Sequence, residues 1–138
     1  MIKIKRLTSA DAAILDRVAD DVFDEPIDPA RVAAYLADPR HYMFVAIIDG
    51  EVVGQVAAVS YAHPDKAPEL FIDEVGVTPT LHRQGIARRL LEEMLMLGKS
   101  LGCEDAWLGT EVDNRPARGL YESFGVKPEP FVMYTFKL

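Results

Sequence analysis

Two guanidinium groups and two small residues come together in Arg83-Gln84-Gly85-Ile86-Ala87-Arg88, just ahead of an apolar, helically periodic run. That placement marks a helix N-terminus. A helix start leaves backbone N–H groups without intrahelical partners, and the helix dipole favours negative charge there. Gly85 and Ala87 present no bulk, so a phosphate can approach the main chain, while Arg83 and Arg88 add positive charge. Read as residues alone, the stretch serves equally well as a tight strand-to-helix turn whose small residues pack, because short glycine patterns are weak signals. A second constellation is acidic: Asp20, Asp21, Asp24, Glu25 and Asp28. It is either a solvated helix end and loop or a field that draws a cationic substrate.

Composition narrows the setting. With 138 residues, 49% of them hydrophobic, the chain fits one compact domain, residues 1–138, with a buried core. Cys103 is the only cysteine, so no internal disulfide forms, and a reducing compartment, by default the cytoplasm, is expected. With no adjacent histidine, Cys103 reads as structural. No apolar run approaches the roughly 20 residues that span a bilayer. Met1–Arg6 has basic residues with no apolar stretch after them, so no signal peptide is expected. A net charge of −7 argues against nucleic acid as the main partner. No metal site is expected.

The elements that must position these groups follow from periodicity. Residues 1–7 read as a strand. Thr8-Ser9-Ala10-Asp11 offers hydroxyls to cap a helix running to Val22 or Phe23. After the breaker-rich Asp24–Pro29, a short helix covers Ala30–Leu36. Tyr42–Ile48 and Val52–Tyr61 are strands joined by Asp49-Gly50, a strong hairpin signal. Glu69–Val77 is the next strand. The longest helix spans about Gln84 to Leu101, with Ile86, Leu90, Met94, Leu97 and Leu101 on one stripe and Gly102 ending it. Ala106–Val112 is a strand, Arg115–Phe124 a helix closed by Gly125, and Phe131–Phe136 a last strand flanked by Pro128 and Pro130. The result is a mixed α/β fold in the order β-α-α-β-β-β-α-β-α-β, whose crossover helices require parallel neighbours.

The stretch from Glu69 to Leu91 resembles the acetyl-CoA motif of the GCN5-related N-acetyltransferase (GNAT) family, whose loop usually reads Arg/Gln-x-x-Gly-x-Gly/Ala. Gly85 and Ala87 match the small positions, Arg83 and Gln84 are common fillers, and His82 departs where Arg or Gln is usual. Asn114-Arg115-Pro116-Ala117-Arg118-Gly119-Leu120-Tyr121 is similar to the family's Asn-x-x-Ala-x-x-Leu-Tyr element, and Phe124-Gly125 follows in its usual place. A tyrosine at this position, taken alone, is more often an amphipathic core residue. Seven residues separate Asn114 from Tyr121, about two helical turns, so both can face one side.

The resemblance implies a GNAT fold with a splayed central pair of strands and direct acetyl transfer from acetyl-CoA to an amine. The cofactor residues it implies are Val75, Gly76, Val77, His82, Arg83, Gln84, Gly85, Ile86, Ala87, Arg88, Asn114 and Tyr121. In the family, backbone groups of Val75–Val77 bond the pantetheine arm, and Gly76 lets that arm lie close. N–H groups there can also stabilise the thioester oxygen. A protonated His82 would make cofactor binding pH-dependent. Glu74 and Asp73 are equal candidates for the base that takes the amine proton, with Glu69 a weaker third. They alternate faces, so only one points to the cleft unless a bulge intervenes. Tyr121 is the family's usual acid for the leaving thiolate.

The acidic residues together with Val132-Met133 bear a looser similarity to aminoglycoside 3-N-acetyltransferases. The implied acceptor is a cationic small molecule, an aminoglycoside or polyamine, with antibiotic resistance as a consequence. A protein or peptide amine, and a non-catalytic acetyl-CoA-binding module, are the alternatives. A homodimer is common in the family, and the Pro-flanked last strand offers an interface.

Overall fold

A computed structural model describes all 138 residues. They group into two compact units, Met1–Leu108 and Gly109–Leu138. The first is built on a sheet of β1 (Lys3–Arg6), β2 (His41–Ile48), β3 (Glu51–Tyr61), β4 (Glu69–Val77) and β5 (Asp105–Trp107), in that spatial order. The first four strands pair antiparallel. β5 lies parallel to β4, as the crossover helix α2 (Ile86–Ser100) demands. Asp49 and Gly50 close the β2–β3 hairpin with φ of 50° and 78°, the paired positive angles of a type I′ turn.

Both sheet faces are covered. Met43 and Val45 of β2 and Ala57 of β3 pack with Leu7, Leu15, Val22 and Val32 from the N-terminal segment and α1 (Pro29–Ala37). Asp28 caps α1 by accepting from Ala30 and Arg31 N–H groups, and Pro29 fills its first turn, where no N–H is missed. On the opposite face α2 buries Ile86, Leu90, Leu91, Met94 and Gly98. The expected stripe ended on Leu97 and Leu101. Gly98 takes the place of Leu97 on the buried stripe and packs against Leu70, whose Cδ2 would lie 2.9 Å from a Cβ there, so the small residue lets α2 come down onto β4 without moving that side chain.

Three expectations fail, each for a local reason. The first helix is a 3₁₀ segment, Ser9–Asp16, although Thr8 and Asp11 form a capping box at its start. It stops short of Val22 because β3 captures the chain: Ala19 N–H donates to Val52 O at 2.8 Å and Val52 N–H to Arg17 O at 2.9 Å. The strand expected over Ala106–Val112 is only Asp105–Trp107. Gly109 follows soon after, and a glycine weakens a strand interior. The last expected strand does not form, since residues 126–138 carry no regular structure; Pro128 and Pro130 cannot donate to a ladder.

The second unit contains α3 (Arg115–Glu122), followed by Gly125 at φ 84°. No helix in the chain is long and apolar enough to cross a membrane.

Leu90 is fully buried beneath the sheet. Leu90→Ala is expected to lower unfolding stability by about 2–5 kcal/mol, the usual range for such a cavity, as read by denaturant titration.

Candidate functional site

β4 holds the candidate carboxylates and is paired differently on its two sides. Along β3 its ladder runs from Glu69 to Val77. Along β5 it pairs only at Glu69, Leu70 and Phe71. From Ile72 to Val77 that second edge has no strand partner, which is the expected splay. Main-chain groups directed to that edge are available to hydrogen-bond an extended ligand, apart from Val77 O, which accepts from His82 Nε2.

The register with β3 also slips. Ala57 pairs with Glu74 while Ala58 pairs with Ile72, so Asp73 is the extra residue of a β-bulge. The bulge is what allows adjacent carboxylates to share a site. Burial, then the charges of Asp73 and Asp24, push the Glu74 carboxyl up from its ordinary value. Burial, then Asp73 and Glu74, raise the Tyr35 phenol, whose hydroxyl donates to Tyr42 O at 3.3 Å. Asp24, Tyr35, Asp73 and Glu74 therefore form one electrostatic cluster on the N-terminal side of the sheet. Asp73 is exposed and Glu74 partly buried. Glu69 stands apart near the far end of β4, its Oε2 2.6 Å from His63 Nε2.

Gly76 is small for a reason sequence reasoning missed. A Cβ on it would lie 2.3 Å from Val22 O, so its open face is filled by the carbonyl of the acidic segment. That carbonyl also accepts from Gln55 Nε2 at 3.2 Å. The one signal for Gln55 was a lone amide within the apolar run Val52–Ala58.

At the end of β4 the loop turns sharply. Arg83 at φ 64° and Gly85 at φ 78° both occupy the left-handed region. Arg83 has a Cβ, and holding such a residue there costs on the order of 1–3 kcal/mol. Gly85 stands at the N-cap of α2 and no side chain caps that helix. The amides of Ile86 and Ala87 thus start α2 without a side-chain cap, and a Cβ on Gly85 would meet nothing within 4 Å. Arg88 Nε lies 3.0 Å from Glu92 Oε1. Arg83 and Gln84 are exposed. His82 Nε2 lies 2.7 Å from Val77 O; a carbonyl only accepts, so this nitrogen carries the proton and His82 braces the turn.

In the second unit, Asn114 Oδ1 accepts from Ala117 N–H at 3.3 Å and caps α3. Tyr121 stands in its last turn, its phenol pushed up by burial. Cys103 is a partly buried thiol, raised by burial and then by the charge of Glu69.

The Acetyltransferase (GNAT) family profile matches residues 12–126. Over 104 residues the chain is 32% identical to an uncharacterized N-acetyltransferase of Mycobacterium tuberculosis, covering 75% of this chain and 64% of that protein. The chain thus spans just under two thirds of that relative's length. It is 32% identical over 126 residues to the N-alpha-acetyltransferase RimI of Mycobacterium tuberculosis, covering 90% and 77% of the two chains. In fold it is similar to the aminoglycoside acetyltransferase meta-AAC0020 from an uncultured soil metagenomic sample. The TM-score is 0.87 at 21% identity, with 99% and 96% coverage.

The raised Glu74 carboxyl has a definite sign. A folded-state value above the unfolded one means stability is highest when the group is protonated and falls as pH rises through the raised value. Glu74→Gln is expected to melt at a higher temperature than the parent at pH 8, with the gap closing as pH falls through that raised value. Scanning calorimetry across pH checks this.

Proposed function

The chain belongs to the acetyltransferase (GNAT) family, and on that premise we propose that it moves an acetyl group from acetyl-CoA directly to an amine of a cationic small molecule, such as an aminoglycoside or polyamine. The observation that carries this reading is β4. Its unpaired edge is a template for the pantetheine arm, and it leads into an uncapped helix start for the pyrophosphate. Beside it lies a cluster of carboxylates. The reading takes residues 1–138 as a single N-acetyltransferase domain, in keeping with a family match that extends over both units.

The residues then divide the work. Backbone N–H groups of Ile86 and Ala87 hold the pyrophosphate, with Arg83, Gln84 and the Arg88 charge at its rim and His82 bracing the turn. Backbone groups of Val75, Gly76 and Val77 hold the pantetheine arm and stabilise the thioester oxygen as it gains charge. Glu74 takes the proton from the amine, since its raised carboxyl is matched to a base working nearer neutrality than an ordinary carboxylate. Asp73 and Asp24 supply the field that attracts the cation and raises Glu74. The nitrogen attacks the thioester carbon, the carbon–sulfur bond breaks, and the sulfur leaves with its electron pair. Tyr121, which burial keeps protonated, supplies the proton that makes the free thiol. Asn114 caps the start of α3, and the resemblance makes it a cofactor residue.

The acidic cluster favours a polycation over a neutral amine. The similarity to RimI supports the second reading, a peptide N-terminus as acceptor. Thiol release in the presence of acetyl-CoA and, in turn, sisomicin, spermidine and a free-N-terminus peptide separates them. Release with sisomicin or spermidine and not the peptide is expected. Release with the peptide alone overturns the small-molecule reading, and binding of acetyl-CoA without release to any amine makes the chain a binding module. Where on an aminoglycoside the acetyl lands, on the 3-amine of the sequence resemblance or on another, is read by NMR of the product.

Tyr121→Phe is expected to slow transfer by roughly 10²–10⁴-fold, the scale of one general acid; an unimpaired turnover rate would remove the assignment. Asp24→Asn is expected to move the acidic limb of the rate profile to lower pH, because one of the charges raising Glu74 is gone.

The C-terminal segment supports a homodimer. Phe131, Val132, Met133, Tyr134 and Phe136 are all exposed, and such a run usually marks an interaction surface. Sedimentation is expected to give twice the chain mass, and a monomeric mass contradicts it.

A further inference from the structure

Gln55 is buried to 1% exposure in an apolar strand, and its Oε1 has no hydrogen-bond partner. An unpaired buried acceptor destabilises a fold, whereas an apolar side chain of the same length would avoid that cost. What the amide gains is one bond, Nε2 to Val22 O. The flipped assignment is excluded, because it would set the amide oxygen against the carbonyl oxygen.

The same carbonyl sits against Gly76, which pairs with Gln55 in register and has no Cβ to exclude it. Residue 22 is thus pinned between β3 and β4, with its side chain buried at 2% exposure. It sits in the middle of Asp20, Asp21 and Asp24. The segment lacks helical support of its own, and Asp21 holds a left-handed φ of 59°. Asp24 nevertheless comes near enough to bear on Glu74.

We propose that Gln55 is a positioning residue for the acceptor side: by fixing the Val22 carbonyl against Gly76 it sets Asp24 beside Glu74, where the cationic amine binds. The kinetic part rests on the acetyltransferase reading; the placement of the segment does not.

Gln55→Met keeps length and removes the donor. With the amine that releases most thiol in the panel above, Gln55→Met is expected to raise KM for the amine about tenfold while KM for acetyl-CoA stays within about twofold. An unchanged amine KM, or equal rises in both KM values, overturns the proposal.

Amide hydrogen exchange tests the placement without any turnover. Gln55→Met is expected to speed exchange about tenfold or more over residues 20–24 while β3 and β4 stay protected, and unchanged exchange there overturns it. Should Gln55→Met fail to fold, Gln55→Glu serves instead: a buried, protonated carboxyl can donate to Val22 O, so protection of residues 20–24 is expected to return as pH falls. Protection independent of pH contradicts the inference.

Discussion

Everything in the proposed site depends on how β4 is hydrogen-bonded. Peptide groups inside a sheet are ordinarily consumed by the ladders on both sides. β4 spends one side on β3 along its whole length and stops pairing with β5 after Phe71. The remaining edge, from Ile72 to Val77, is supported by β3 and by the packing of α2, and bends at the Asp73 bulge. An extended ligand meets there a rigid row of donors and acceptors. A flexible loop with the same groups would have to be ordered at the moment of binding.

The bulge at Asp73 lies on the same strand and solves a second problem. Regular alternation would send Asp73 and Glu74 to opposite faces. With the bulge, both charges act on Tyr35, and Glu74 responds to Asp73 and Asp24. Crowded carboxylates beside a partly buried one make that one a better base, at a cost in stability. On the proposed reading, a multiply charged amine relieves the same crowding. Val22 links the two halves of this arrangement, since its carbonyl is the point where the acidic segment is fastened to β3 and β4.

The parts of the fold legible in the sequence were those set by local chemistry. Asp49-Gly50 gave its hairpin because positive φ is affordable there. α2 followed from its apolar period, and the turn at Gly85 from the small residues ahead of that run, to which the structure adds the left-handed φ. Where tertiary contacts overrode local preference, the reading failed. The first helix became a 3₁₀ segment because β3 claims Arg17 and Ala19. The last strand has no ladder to join. Within the site, the loop and the carboxylates were visible as motifs. The bulge was foreseen only as a condition. Gln55 and the true neighbour of Gly76 were not, since both depend on a carbonyl 33 positions from Gln55 in the chain.

The central claim is that the open edge of β4 and the uncapped start of α2 together hold the cofactor. The most direct measurement is a titration of the isotope-labelled protein with coenzyme A, followed by amide chemical shifts. The account predicts that the largest changes fall on Val75–Val77 and on Gly85–Arg88, and that they saturate together. Saturable binding that leaves both stretches unmoved would contradict it.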